Sequence, residues 1–396
     1  MTWLARYRAV VRDGGVASAF LASLFGRISL AMTGLAILLV VQDATGSYGA
    51  AGLVSAAYAL AFAVSAPARA RSADRRGPVP VMIHCSVIGA AALVVLAGLA
   101  AKDAPVVVLA LAAVVGGAFV PPLGSVMRAL WAARLPASSL PTAYSLESVL
   151  VELCFVVGPG LVAGIAVWTA PAGALVASAL ISLAGGLGMA ATPGLRAVRP
   201  DAEAMHLRGG PLTSPAVRSL LLTIVWVGTS FGATEVAMPA FVEDAGARPA
   251  AAGLLLVVWS IGSVIGGIMY GALPSARPQS AQMPVLVTML AAASVLPLVA
   301  PGPIVMGIAL LVYGTTIAPF MACNAVLLGS AAPRGTTTEA FAWSSSMIFA
   351  GIALGSATAG ALIDRGGPTA GLAVTAVAGA LTLTVSLLSR RRLPVS

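Results

Sequence analysis

"FGRISLAM" at residues 25–32 returns as "FGATEVAM" at 231–238. The match continues outward from this pair. "AAGL" at 50–53 recurs at 251–254. In "AYSLES…GPGLVAG…P", Ala143, Gly158 and Pro171 align with Ala340, Gly355 and Pro368 of "AFAWSS…GSATAGA…P". The offset drifts only as loop length requires. The sequence therefore reads as two parallel copies of one six-span unit, residues 1–193 and 215–396. The polar stretch "GLRAVRPDAEAMHLRGGPLTS" (194–214) joins them.

Composition says where the units reside. The chain of 396 residues is 59% hydrophobic and 9% charged, against about 25% charged residues in soluble domains. Twelve apolar spans are expected near 14–41, 48–68, 78–101, 105–131, 140–167, 170–192, 216–241, 249–272, 282–300, 303–328, 339–362 and 368–389. The first is too long for a cleaved signal peptide, and it has a counterpart later in the chain. The fold class is an all-α membrane protein of two pseudo-symmetric six-helix bundles. In parallel-repeat carriers the binding cavity lies between the bundles near the midplane.

Several function classes fall away. The two histidines, His84 and His206, and the three cysteines, Cys85, Cys154 and Cys323, have no metal or disulfide spacing. The cysteines read as packing residues, and no cofactor or metal is expected. No phosphate-binding G-x-x-x-x-G-K-[ST] loop occurs, and no nucleophile–base pair is visible, so an enzyme is the least favoured class. The net charge of +9 suggests nucleic acid, but its distribution does not. Arginines cluster in short polar breaks, as at 69–76 and 390–392. With both termini cytoplasmic, only Lys102, Arg248 and Arg365 of the basic residues fall outside, and Arg27 lies within the membrane. The high Ala and Gly content, with arginine 21 to lysine one, points to a GC-rich bacterial genome and an inner-membrane location.

With these features the chain resembles the major facilitator superfamily over essentially its full length. "RSADRRGPVPV" (71–81) is similar to that family's cytoplasmic motif A, through Asp74, Arg75 and Gly77. Ala70 stands where a glycine usually opens the motif, and Pro78 replaces the usual basic residue. "GPGLVAG" (158–164) is similar to motif C of the drug:proton antiporter branch, through Gly158, Pro159 and Gly164. Motif B is absent: "LALAAVVGGAFVPP" (109–122) has no arginine, and the basic residue of span 4 is Arg128. The resemblance implies alternating access, with Asp74 and its arginines latching the inner helix ends in one state.

Five charges lie in or near the membrane interior: Arg27, Arg128, Glu147, Glu152 and Glu235. A charge at mid-membrane costs about 2.5–3.5 kcal/mol on insertion scales, so each needs a reason. At 1.5 Å per residue Arg27 and Glu152 lie at similar depths, about 20 and 18 Å, so they are expected to pair. Arg27 would then hold a fixed cavity charge. Arg128 and Glu147 read as an inner gate pair. Glu235 has no cation inside a span of its own half. Such a carboxyl group can hold a proton when occluded and release it when wetted, so Glu235 is the expected coupling site, with Glu152 as its rival. Thr229, Ser230, Tyr313 and Asn324 are expected on the substrate cavity, with Thr315 and Thr316 as further polar candidates. Trp226, Trp259 and Trp343 offer aromatic surface.

The expected function is proton-coupled efflux of small, largely apolar compounds by a monomer. Its partners are a small-molecule substrate, protons and membrane lipid, without nucleic acid. The alternatives are a sugar or metabolite carrier, either exporter or uptake symporter, and, from another class, a non-transporting receptor or lipid scramblase.

Overall fold

The computed structural model describes residue 7 and residues 14–198, 210–247, 250–273 and 277–392. Arg248 and residues 199–209 of the expected linker, with His206, lie outside the described residues. Helices account for nearly all that is described, and ten of them are long and apolar enough to cross a membrane. Two of the ten are double. Leu140–Ala191 has 52 residues and Thr337–Ser389 has 53. A straight helix of that length would run about 80 Å, against roughly 30 Å of hydrocarbon. Each is interrupted by one non-helical residue, Ala170 (φ 66°) and Gly367 (φ 71°), directly before Pro171 and Pro368. A Cβ on Gly371 would lie 2.6 Å from the Ile363 side chain eight residues earlier, so the chain folds back there. The described residues make twelve crossings, and the aligned hinges show that the repeat extends to the backbone.

Spans 1, 2 and 3 are Gly14–Thr45, Tyr48–Arg76 and Pro78–Ala100. Span 4 is broken into Val106–Ala118 and Leu123–Arg134. Pro121 and Pro122 cause the break, since neither can donate a backbone hydrogen bond. Spans 5 and 6 flank Ala170. Spans 7, 8 and 10 are Pro215–Asp244, Ala250–Ala272 and Pro303–Ala331, and span 9 runs from Gln279. Spans 11 and 12 flank Gly367.

The helix ends follow ordinary capping rules. Ser47 and Ser214 cap spans 2 and 7 by accepting from Ala50 N and Val217 N. Proline at the first helical position starts spans 3, 7 and 10. Gly77 turns span 2 into span 3 at φ 86°, a conformation that a Cβ would penalise. The glycine of the motif A stretch therefore has a local reason, as does Pro78 at the start of span 3.

Packing repeats the symmetry. Span 1 packs on spans 5 and 6, and span 7 on spans 11 and 12. Between the halves, span 2 meets span 11 and span 5 meets span 8. Gly158 shows how closely the backbones approach: a Cβ there would lie 2.7 Å from Ala31 Cβ on span 1. Gly355, its aligned partner, lies against the Thr229 backbone in the same way. Gly164 makes no such contact and Pro159 is exposed. The three cysteines are free and buried, in keeping with a packing role.

Candidate functional site

The halves are bonded at one end. There, the Asp74 carboxylate accepts from the backbone N–H groups of Thr338 (3.3 Å) and Glu339 (2.9 Å). These are the first amides of span 11, where helix geometry leaves donors unpaired and favours an anion. Arg71 donates from Nε to Glu339 Oε2 (2.9 Å) and from Nη2 to Glu339 Oε1 (2.5 Å). On the other seam Thr142 donates to the Gly271 carbonyl (2.9 Å), Ser145 to the Gly267 carbonyl and Tyr7 to the Ile268 carbonyl (3.1 Å). Further from this end, Ser346 donates to the Ala63 carbonyl (2.6 Å) and Ser263 to Glu152 Oε1 (3.2 Å). Ala70, in place of the usual motif A glycine, packs with Ala66 against Ala342 of span 11.

Past these bonds a cavity of about 610 Å³ lies between the halves, walled by residues of both. Its lining is mainly apolar, with aromatic rings prominent. Phe62 meets Phe349 edge-on across the halves at 5.5 Å, and Phe231 meets Trp259 edge-on at 5.3 Å. Arg27, Arg69, Arg128, Glu152 and Glu235 supply the charge on its wall.

The expected partner of Arg27 needs correction. Arg27 Nη2 donates to Glu147 Oε1 (2.7 Å), not to Glu152. Arg128 Nε donates to the same oxygen (3.0 Å), and Trp131 Nε1 to Glu147 Oε2 (3.2 Å). Matching depths by Cα position ignored the length of the arginine and the lean of helical side chains toward the helix N-terminus. Glu147 is five residues nearer that end than Glu152, about 8 Å at 1.5 Å per residue. The Arg128–Glu147 pair does form, but its residues and Arg27 all belong to spans 1, 4 and 5. It fastens helices of the first half to one another, and among the described residues its side-chain bonds do not cross to the second half.

The expected substrate contacts also need correction. Thr229, Ser230, Tyr313 and Asn324 are buried off the large cavity. Thr229 donates to the Val225 carbonyl (2.9 Å), and Ser230 bonds to Tyr313, whose ring is fully buried. Short hydroxyl groups on a helix are readily satisfied by their own preceding turn or by a neighbouring helix. Thr315 and Thr316 likewise bond within span 10. Asn324 borders a smaller void beside Arg128. Of the three tryptophans Trp259 lines the cavity, while Trp343 donates to Glu339 (3.3 Å).

Glu235 is exposed on the cavity wall and has no ion pair among the described residues. It lies 20 residues into span 7, about 30 Å from the start of that helix. The sequence reading missed Arg69 and Glu339. Arg69 was placed in a loop, yet it is 8% exposed, within span 2, and donates to the Ala118 carbonyl at the break in span 4 (2.5 Å). Its signal was the run of helix formers past residue 68. Glu339 had the signal of an acid in a first helical turn.

Twelve crossings in two repeated halves around a central, charged cavity define a multi-span membrane carrier. The model of the Major Facilitator Superfamily matches residues 19–338, and the chain belongs to that family. Among curated proteins it is similar to an uncharacterized MFS-type transporter, y4rN, of Sinorhizobium fredii (strain NBRC 101917 / NGR234). The two are 27% identical over 273 residues, 66% of each chain. Among solved structures it is similar to the human organic anion transporter MFSD10 (TETRAN), with TM-score 0.73, 18% identity, and coverage of 94% of this chain and 98% of that one. It is also similar to a bacterial homologue of the iron transporter ferroportin in an outward-facing state, with TM-score 0.74, 14% identity, and coverage of 96% and 98%. The chain is thus a secondary transporter by family.

Proposed function

We propose that the protein exports small, largely apolar compounds in exchange for protons, by alternating access, as in the drug:proton antiporter branch. The carrying observation is the cavity of about 610 Å³ with aromatic walls, on which Glu235 stands exposed without an ion pair. An apolar wall binds by excluding water, and an unpaired carboxyl group gives the cycle a site for one proton. The two halves, residues 1–193 and 215–396, rock about this site, and the monomer is the working unit. Reconstituted proteoliposomes test the reading. An inwardly or outwardly directed pH gradient should drive a hydrophobic dye uphill against the proton flow. Dye flux that ignores the gradient, or runs with the protons, rules antiport out.

The bonded end is the cytoplasmic one in this reading, and the protein sits in the bacterial inner membrane. Arg71, Arg75, Arg76, Arg390 and Arg392 then face the side that retains basic loops. A reporter fused after Ser396 should be active only in the cytoplasm. Activity confined to the periplasm inverts the assignment.

The bonds of Asp74 and Arg71 to span 11 are the latch that holds the cytoplasmic side shut while the cavity faces outward. Hydrogen bonds to a charged group are worth about 1.5–3 kcal/mol each, so losing one shifts a two-state equilibrium about tenfold or more. Asp74→Asn should accordingly speed maleimide labelling of a cysteine placed at Ala342, which is 2% exposed between the halves. An unchanged labelling rate would mean that the latch does not set the population.

A further inference from the structure

The break in span 4 gathers positive features that the coupling scheme does not use. The helix restarts at Leu123, in mid-bundle, with Gly124 and Ser125 on the cavity wall. Leu123 N donates to the Pro121 carbonyl (2.8 Å) and Val126 N to the Pro122 carbonyl (3.0 Å). Among the described residues the amides of Gly124 and Ser125 have no such acceptor. A twelve-residue helix thus points its N-terminus, with free donors, at the cavity.

Arginines flank this N-terminus on both sides. A Cβ on Gly124 would lie 2.9 Å from Arg27 Nη2, so the absence of a side chain lets that guanidinium rest against the new helix start. A cation at the positive end of a helix is unfavourable by itself. Arg27 also shares its one carboxylate, Glu147, with Arg128. Two guanidinium groups against one carboxylate leave a net positive corner. On the other side of the break, Arg69 caps the carbonyls of Gly117 (3.1 Å) and Ala118 (2.5 Å) through Nη1. Its Nη2 reaches the Phe62 carbonyl (3.4 Å), but among the described residues its Nε has no partner. Arg69 is 8% exposed and lines the same cavity. A buried guanidinium donor left unpaired is costly, and an oxyanion relieves it. Trp259 Nε1, on the opposite wall, is a second buried donor without a partner among the described residues.

From this geometry we propose that the break in span 4 is an oxyanion-binding subsite. The substrate is then an amphiphile with one carboxylate or equivalent oxyanion on an apolar body. Its anionic group faces Arg27, Arg69 and the amides of Gly124 and Ser125, and its body lies along Phe62, Phe231 and Trp259. This names the substrate class of the cavity and so rests on the transport reading above.

The test is calorimetric titration of the full-length protein, in phosphatidylcholine nanodiscs, with naphthoate and with naphthamide. The two probes share a ring system and differ in charge. Naphthoate should bind at least about tenfold more tightly, as charge-assisted bonds are roughly twice as strong as neutral ones. Ser125→Asp places a tethered carboxylate at the helix N-terminus, where an acid favours the helix. It should abolish the preference, with naphthoate affinity falling at least about tenfold, to that of naphthamide or below. Equal affinities in the native protein, no saturable naphthoate binding, or a preference that survives Ser125→Asp would each overturn the subsite. In phosphatidylglycerol nanodiscs, unchanged naphthoate binding assigns the subsite to a soluble acid. Loss of binding there assigns it to an anionic lipid headgroup, with the oxyanion chemistry intact. Proteoliposome counterflow separates the two levels of the reading. Naphthoate that binds but is not carried keeps the subsite and removes transport. Naphthamide carried as fast as naphthoate keeps transport and removes the subsite.

Discussion

Glu147→Ala is expected to cost the folded protein about 3–5 kcal/mol, the largest stability loss of any single change on the cavity's charged side. Glu147 is 1% exposed and receives Arg27, Arg128 and Trp131 at once. Its removal leaves two guanidinium groups and an indole N–H buried against one another without an acceptor. Arg27→Ala should be much milder, because Arg128 and Trp131 remain on the carboxylate. The double change Arg27→Ala with Glu147→Ala should recover part of the loss, since one of the stranded charges goes with its partner. Thermal unfolding of the detergent-solubilised protein, read by monodisperse yield, completes the cycle. A coupling energy near zero between Arg27 and Glu147 would contradict the triad. Arg27 and Glu152, which do not bond, should by contrast come out close to additive.

The contrast between those two cycles shows what the sequence could and could not say. Apolar runs, the internal repeat and the basic breaks were legible because the bilayer and the fold impose them on many residues at once. Even the hinges before Pro171 and Pro368 were marked by aligned prolines. The bonds between the halves were half legible: Asp74 stood out in its motif, but its partners, the amides of Thr338 and Glu339, belong to the other half of the chain. Pairings are set by helix tilt, rotation and side-chain reach, none of which is carried by depth along one helix. That is why Arg27 was matched to Glu152 and lies on Glu147. The cavity wall was least legible. Hydroxyl groups such as Thr229 and Ser230 are the same letters whether they face a ligand or a neighbouring turn. Arg69 was hidden by a span boundary drawn at the first charge, although a helix continues through residue 76.

Glu235→Gln is expected to abolish gradient-driven transport, down to the leak of empty liposomes, while leaving the protein folded. The side chain is exposed on the cavity wall and holds no ion pair among the described residues, so amidation strands no partner. Glutamine keeps the volume and mimics the protonated carboxyl group. In the proposed cycle Glu235 is wetted and takes up a proton when the cavity faces the acidic side. When it faces the other side, water reaches Glu235 again and the proton leaves before substrate binds. Substrate and proton occupy the cavity in turn in this cycle, and that alternation would couple the two flows. A side chain that cannot change charge breaks the coupling without breaking the movement. Substrate exchange with no gradient should therefore survive in Glu235→Gln. Glu152 is the rival carrier, and the structure strengthens its case in one respect. It is not neutralised by Arg27, and it accepts from Ser263 of the opposite half, so its bond must change as the halves separate. The two variants give different answers in the same vesicles. Full gradient-driven export by Glu235→Gln, with loss in Glu152→Gln, moves the coupling site to span 5. Loss of both driven flux and exchange in Glu235→Gln makes the residue part of the substrate site instead. Retained exchange with lost coupling is the result that assigns the proton to Glu235.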